Sequence, residues 1–97
     1  MMIERDSAGA YDIELSGEYD LARKQELAAL FAGIDGKTSI AIDMRRVTYV
    51  DSTFLHELIT MRLRLQERSV TLVGAQRSVV RILHLAKLDR FFILQPG

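Results

Sequence analysis

The chain of 97 residues contains no cysteine, only one proline and no excess of charge of either sign. Without cysteine, the disulfide frameworks, zinc knuckles and thiol chemistry of other small domains are excluded. The 13 basic side chains are balanced by 13 acidic ones. General binding to DNA or RNA depends on an excess of Lys and Arg that displaces counterions from phosphates. We therefore expect no direct nucleic-acid partner.

Long apolar runs are also missing. No run approaches the ~18 residues that would indicate a membrane-spanning helix, and residues 1–6 are too charged for a signal peptide. We therefore expect no membrane insertion and a cytoplasmic location. With 48% apolar residues, the composition is far from that of disordered chains, and the length suits a single domain over residues 1–97.

Segments typical of strands and helices alternate along the chain. Apolar patterning predicts strands at residues 10–15, 40–44, 70–73 and 91–94. Residues 47–50 resume the apolar pattern after an interruption at 45–46. Helix signals predict one helix from Asp20 to Gly33, a second from Asp51 to near Arg68 and a third from Arg77, with Leu21 and Leu63 on buried faces.

This alternation implies crossover connections between strands. The sequence therefore predicts an α/β domain with about three main helices and a mostly parallel central sheet. We expect residues 10–15 to pair with the N-terminal residues at one antiparallel edge.

Asp51, Ser52 and Thr53 lie between a predicted strand and a predicted helix. In open α/β sheets, ligands and partners meet the loops at the carboxyl ends of strands, next to helix N-termini. If Ser52 lies at the cap, its hydroxyl can accept a hydrogen bond from a backbone N–H, and the helix dipole favours a phosphate there. The simpler interpretation is that Asp51 and Ser52 only cap the helix.

Four segments in the same order resemble the STAS domain of bacterial anti-sigma factor antagonists. They are Leu15-Ser16-Gly17-Glu18-Tyr19-Asp20, Val47-Thr48-Tyr49-Val50-Asp51-Ser52-Thr53, Val70-Thr71-Leu72-Val73-Gly74 and Ile82-Leu83-His84-Leu85-Ala86-Lys87-Leu88. The resemblance covers residues 10–94 and implies a STAS-like (SpoIIAA-like) fold.

The resemblance implies a binding switch rather than an enzyme, with no cofactor and no metal. In such proteins the serine after the aspartate is the phosphoacceptor, which here is Ser52. The unphosphorylated protein would bind an anti-sigma factor serine kinase and so free a sigma factor, and a serine phosphatase would reverse the phosphorylation. A phosphate adds about −1.5 to −2 charge beside Asp51 and would repel the partner. The implied partner-binding residues are Asp20, Asp51, Ser52, Thr53, Phe54 and His56.

The chain departs from the family pattern directly after the motif. Many antagonists have Gly-Leu-Gly where this chain has Phe54, Leu55 and His56. We expect Phe54 either to block close approach to Ser52 or to add an apolar contact with the partner. Lys87 stands where the family often has glycine, a change that an exposed position is expected to tolerate.

Other functions fit the sequence less well. A STAS subunit of a lipid-transport ABC system or of a stress-signalling assembly, binding without phosphorylation, is the main alternative. A hydrolase using Ser52 and His56 is disfavoured because the Gly-X-Ser-X-Gly elbow is missing. His56 and His84 are too isolated to indicate a metal site, and no glycine-rich loop indicates nucleotide binding.

Overall fold

Strands and helices alternate along the chain. The computed structural model describes residues 2–5, 11–34, 39–65 and 69–96. The strands are β1 Met2–Arg5, β2 Tyr11–Tyr19, β3 Ile40–Val50, β4 Val70–Val73 and β5 Ile93–Gln95. The α-helices are α1 Lys24–Ala32, α2 Ser52–Leu65 and α3 Arg77–Leu85, and the 3-10 turns are Leu21–Arg23 and Asp89–Phe91. Ala10 and Arg68, where a strand and a helix were predicted to begin and end, lie outside the described residues.

The predicted sheet requires a correction. Residues 10–15 were assigned to an antiparallel edge, but β2 also belongs to a parallel sheet of four strands, β2 to β5, in which every neighbouring pair is parallel. The strands β2, β3 and β4 are each followed by a helix that carries the chain back, so the next strand runs in the same direction. On its other side, β2 pairs antiparallel through four residue pairs with β1, the edge strand of the same five-stranded sheet. Only residues 6–10 separate these two strands, too few for a crossover.

The β2–β3 pair contains two register shifts, after Glu14 and after Gly17. Each shift adds one residue to β3, so its 11 residues lie beside the nine of β2. The added residues interrupt the alternation of burial, and the pairs 45–46 and 48–49 are both exposed. The interruption predicted at 45–46 is therefore a bulge inside one continuous strand.

The buried side chains of the described residues form one hydrophobic cluster. Its strand members belong to one face of the sheet and its helix members to all three α-helices. On the opposite face of the sheet, Asp12, Glu14 and Asp43 remain at least partly exposed. One face of the sheet therefore carries the core, and the other, which also includes Ala41, Val73 and Ile93, remains at least partly exposed.

Two leucines predicted to be buried are exposed. Leu21 is 69% exposed because it lies in the 3-10 turn before α1, not in the helix itself. Leu63 is 63% exposed. It lies two residues from Met61 and two from Leu65, both buried, and a helix turns about 200° over two residues. Leu63 therefore points away from the core.

Candidate functional site

The carboxyl ends of β2 and β3 bring the predicted site residues together. Tyr19 at the end of β2 is registered with Val50 at the end of β3. Asp20 and Asp51 follow these two residues directly, so the two acidic residues lie next to each other at one edge of the sheet. The sequence placed both residues after strands, and their adjacency follows from the parallel pairing.

Asp51, and not Ser52, caps α2. Its Oδ1 accepts hydrogen bonds from the backbone N–H groups of Thr53, at 2.9 Å, and Phe54, at 3.2 Å. Its backbone carbonyl accepts the N–H of Leu55. These are the bonds of an N-cap aspartate. The capping role considered for the Ser52 hydroxyl is therefore filled by its neighbour.

Ser52 is the first residue of α2 and is exposed. Within the described parts of the chain, its hydroxyl makes no hydrogen bond. Ser52, Thr53, Lys24 and His56 line one open hollow between the beginnings of α1 and α2. The Lys24 side chain has no ion pair with any described residue, and its positive charge shares this hollow with the Ser52 hydroxyl.

The prediction for Phe54 was wrong. Its side chain is 1% exposed and packs against Tyr19, with ring centroids 5.4 Å apart and planes tilted by 55°. A residue three positions into α2 points toward the core here, as do Leu58 and Met61 farther along the helix. Phe54 therefore neither covers Ser52 nor offers a contact to a partner. His56, by contrast, is exposed beside Ser52.

Asp20 ends β2 and caps the following 3-10 turn. Its Oδ1 accepts a hydrogen bond from the backbone N–H of Ala22 at 3.0 Å. The carboxylate remains exposed while it makes this bond. Asp20 thus has a structural role and still presents negative charge beside the start of α2.

Arg23 connects the site residues, although no motif in the sequence pointed to it. Its Nη1 donates to the carbonyl oxygens of Ser16, at 2.7 Å, and Glu18, at 3.2 Å. Its Nη2 donates to the Tyr19 hydroxyl at 3.3 Å, and its guanidinium carbon lies 4.0 Å from the centre of the Tyr19 ring. Nε and Nη2 also donate to the Glu26 carboxylate at 2.9 and 3.0 Å.

Two side chains that bind Arg23, those of Glu26 and Tyr19, have shifted pKa values. The hydrogen bond from Arg23 lowers the pKa of Glu26. Burial raises the pKa of the Tyr19 hydroxyl, although hydrogen bonding with Ser16 and the nearby Arg23 charge act in the opposite direction.

Gly17 makes room for this arrangement. Its φ of +86° is one that residues with a side chain rarely adopt, and a Cβ placed there would lie 3.2 Å from the Arg23 Nη1. Gly17, which is part of the segment that resembles the family, therefore has a physical role. It lets the strand bend where the guanidinium group binds the Ser16 and Glu18 carbonyls.

Two large apolar side chains are exposed at the same edge, and the sequence did not single them out. Leu21 follows Asp20, and Tyr49, which is 50% exposed, is registered with Glu18 just before the strands end. The second bulge in β3 leaves Tyr49 outside the core. Isolated apolar residues are common on surfaces, but these two flank the segment that contains Ser52.

The histidines do not come together. His84 Nδ1 lies 2.9 Å from Asp89 Oδ2, whereas His56 lies at the α2 hollow. In the part of the chain that the structure describes, no three His, Asp or Glu side chains are grouped so that they could hold a metal ion. Across the same residues, no helix has the length and apolar character needed to cross a bilayer.

Sequence and structure comparisons agree on the family. A family model described as "Mlab, STAS domain" matches residues 3–96. The chain belongs to this STAS family. The resemblance seen in the sequence is confirmed. No curated protein matches the chain significantly.

Solved structures share this STAS fold. An anti-sigma factor antagonist from Mycobacterium paratuberculosis is 28% identical, with a TM-score of 0.77 over 99% of this chain and 84% of that chain. An anti-sigma-factor antagonist (STAS) domain protein from Planctomyces limnophilus is 16% identical, with a TM-score of 0.78 over 99% and 89%. The anti-sigma factor antagonist SpoIIAA in its unphosphorylated form is 18% identical, with a TM-score of 0.67 over 97% and 84%. The last two similarities concern the fold alone.

Proposed function

We propose that this STAS domain is an anti-sigma factor antagonist that binds an anti-sigma factor serine kinase and thereby releases a sigma factor. The observation that supports it most is the Ser52 hydroxyl, which is exposed and makes no hydrogen bond within the described chain. Because Asp51 supplies the cap, the hydroxyl can be phosphorylated without loss of the bonds that begin α2.

In this proposal, phosphorylation of Ser52 weakens partner binding at the surface formed by Asp20, Asp51 and Ser52. It adds about −1.5 to −2 charge to a surface that already carries Asp20 and Asp51. The partner's contact area, complementary to a neutral hydroxyl, then faces an added charge that it must desolvate. Lys24 in the same hollow offsets part of this charge within the antagonist, so the phosphorylated protein stays folded while binding weakens.

Leu21 and Tyr49 supply the apolar part of the contact. Interfaces concentrate binding energy in a few large side chains at their centre, and tyrosine is among the residue types enriched there. Both side chains lie at the strand ends that carry Asp20 and Asp51. In this proposal, apolar contacts give affinity, and the charge state of Ser52 decides whether they form.

The protein itself performs no chemistry in this scheme. The kinase supplies the phosphate and a serine phosphatase removes it, both acting in the cytoplasm. The second candidate is a STAS subunit of a lipid-transport ABC system or of a stress-signalling assembly, which binds without phosphorylation. The observation that favours it is the departure after Ser52, where buried Phe54 and exposed His56 replace the Gly-Leu-Gly of many antagonists.

Affinity capture from the native host tests the proposal. The baits are the wild type, Ser52→Ala, Ser52→Asp and Ser78→Asp. Ser78 is a matched control because it is also exposed and lies in the first turn of a helix, α3. A serine kinase with a histidine-kinase-like ATP site should be captured by the wild type, Ser52→Ala and Ser78→Asp, but not by Ser52→Asp.

Two results would count against the antagonist proposal. One is capture of the same partners by all four baits, since Ser52 would then have no switching role. The other is capture of an ABC ATPase in place of a kinase, which would favour the second candidate.

A further inference from the structure

We propose that Arg23 is a positioning residue that fixes the start of α2, and with it Ser52, relative to the end of β2. It acts through Tyr19 and Phe54 and touches neither Ser52 nor the groups that would react there. The inference rests on the proposed function, because it concerns the geometry of the same recognition surface. That surface is divided between two segments, one ending at Asp20 and one beginning at Asp51.

The first connection holds the end of β2. The guanidinium group binds two carbonyl oxygens on either side of the second register shift, those of Ser16 and Glu18. This shift adds a residue to β3 and interrupts the regular hydrogen-bond ladder between β2 and β3. A charged donor that binds both carbonyls fixes the conformation of the segment that leads to Asp20.

The second connection runs through two rings. The Arg23 guanidinium carbon lies 4.0 Å from the centre of the Tyr19 ring, in the range of a cation–π contact. The Tyr19 ring contacts the Phe54 ring at 5.4 Å with a tilted geometry that is favourable for aromatic pairs. Tyr19 and Phe54 are each 1% exposed, so water cannot readily replace the contact between the two rings.

The third connection reaches the cap. The backbone N–H of Phe54 donates to Asp51, while the Phe54 side chain is held by Tyr19. Phe54 therefore joins the aromatic pair to the first turn of α2, two residues after Ser52. A change in the position of Tyr19 is transmitted to this turn, because close-packed interiors do not deform independently at neighbouring sites.

This arrangement explains why a large aromatic residue follows the Ser52 motif. The side chain that was predicted to meet the partner instead anchors the helix start from within. A recognition surface that is already ordered loses less conformational entropy on binding than one that must be ordered by the partner. Arg23 thus prepares the surface without being part of the contact.

Amide hydrogen exchange on the isolated protein tests this inference directly. The variants are Arg23→Met and, as a matched control, Arg45→Met, which also removes an arginine bonded to an acidic residue, Asp43. Buried β3 amides report how much the exchange rate rises through global unfolding. In Arg23→Met, the exchange rates of the Thr53 and Phe54 amides should rise at least about tenfold more than the rates of these β3 amides. In Arg45→Met they should follow global stability alone.

Two further variants separate positioning from general stabilisation. In a double-mutant cycle with Phe54→Leu, the acceleration in the double variant should be smaller than the product of the two single effects, because both changes break the same connection. Arg23→Lys keeps a charge near the Tyr19 ring and should recover part of the protection. The near-ultraviolet circular dichroism of Tyr19 should change in Arg23→Met and not in Arg45→Met.

The inference is overturned if Thr53 and Phe54 exchange in Arg23→Met only as fast as the global reporters, or if the two single effects multiply without coupling. Because no partner is present in these measurements, they succeed or fail independently of the capture experiment. Failure of the Ser52 baits with normal exchange behaviour would remove the proposed function and leave the positioning role in place.

Discussion

At the start of α2, one residue caps the helix and its neighbour presents an exposed hydroxyl. The sequence alone could not show which residue has which role. Asp51 makes the capping bonds, and Ser52 presents a hydroxyl that is not used by the described structure. Both residue types are common at helix N-termini, so composition alone favours each equally. The division matters because a structural serine could not be modified without cost to the fold, whereas this one can.

Replacing the two residues separately should show this division. Asp51→Ala should lower the free energy of unfolding by about 1 kcal/mol, since it removes an N-cap. Ser52→Ala should change it by no more than about 0.5 kcal/mol, as expected for an exposed side chain without partners. Urea denaturation of both variants measures the difference. A larger loss in Ser52→Ala than in Asp51→Ala would reverse the assignment.

Lys87 offers a second test at the residue scale. It is exposed, as the sequence predicted, but its φ is +59°, the left-handed conformation that follows the C-cap of α3. The bonds from Lys87 N–H to the His84 carbonyl and from Leu88 N–H to the Leu83 carbonyl complete this helix end. The positive φ explains why the family often has glycine at this position. Exposure of the side chain does not remove this conformational preference.

Lys87→Gly should consequently stabilise the protein. The strain of a lysine at this φ in the folded state costs more free energy than the additional conformational entropy that a glycine loses on folding. The free energy of unfolding should therefore rise by about 1 kcal/mol. Thermal unfolding compared with Lys24→Gly, an exposed lysine at the start of α1, measures it. The control should lose stability, and a loss of stability in Lys87→Gly as well would contradict the conformational account.

At the scale of elements, the sequence predicted the alternation of strands and helices but not the two bulges of β3. Apolar periodicity located the inner strands because buried residues alternate there. The pairs 45–46 and 48–49 break this period through register shifts with β2, and register depends on a strand that is distant in sequence. For the same reason Tyr49 could not be predicted to be exposed.

Prediction of the candidate site from the sequence is limited in the same way, because some of its contacts depend on the folded chain. Asp20 and Asp51 were found because short motifs mark strand ends and helix caps. The role of Arg23 was not predicted. Its contacts with Ser16 and Tyr19 depend on the bend of β2 at Gly17, which no sequence pattern indicates. The burial of Phe54 likewise depends on where Tyr19 lies after folding.

The bulged region of β3 also carries a pH-sensitive pair. The Arg45 side chain donates to the Asp43 carboxylate at 2.6 to 3.1 Å and lowers the pKa of Asp43 below its ordinary value of 3.8. A carboxyl group whose pKa is lower in the folded state adds stability above its unfolded pKa and loses this contribution as the pH falls through the folded value.

Asp43→Asn should therefore be less stable than the wild type at pH 7, and the difference should shrink as the pH falls below about 4. Both side chains are partly exposed, so the effect should be small and should weaken with added salt. Urea unfolding at a series of pH values measures it. A difference that stays constant between pH 7 and pH 2.5 would show that the Asp43 charge is not responsible.

On the scale of the whole molecule, the balanced charge of the chain leaves no dominant field on its surface. The formal net charge is zero, with 13 basic and 13 acidic side chains. A phosphate at Ser52 is then a large local change, felt mainly within a Debye length of about 8 Å at physiological salt. Asp20, Asp51 and Lys24 lie at the same edge of the molecule, so the change remains confined to the proposed recognition surface.

The central claim is that one phosphate at Ser52 controls binding, and a comparison of affinities tests it most directly. Phosphoserine is incorporated at position 52 or, as the control, at position 78, and the dissociation constant for the purified kinase is measured by calorimetry at physiological salt. Phosphate at Ser52 should weaken binding at least about tenfold, equivalent to about 1.4 kcal/mol, while phosphate at Ser78 should change it less than about twofold. Equal dissociation constants for the unmodified protein and the protein phosphorylated at Ser52 would contradict the claim.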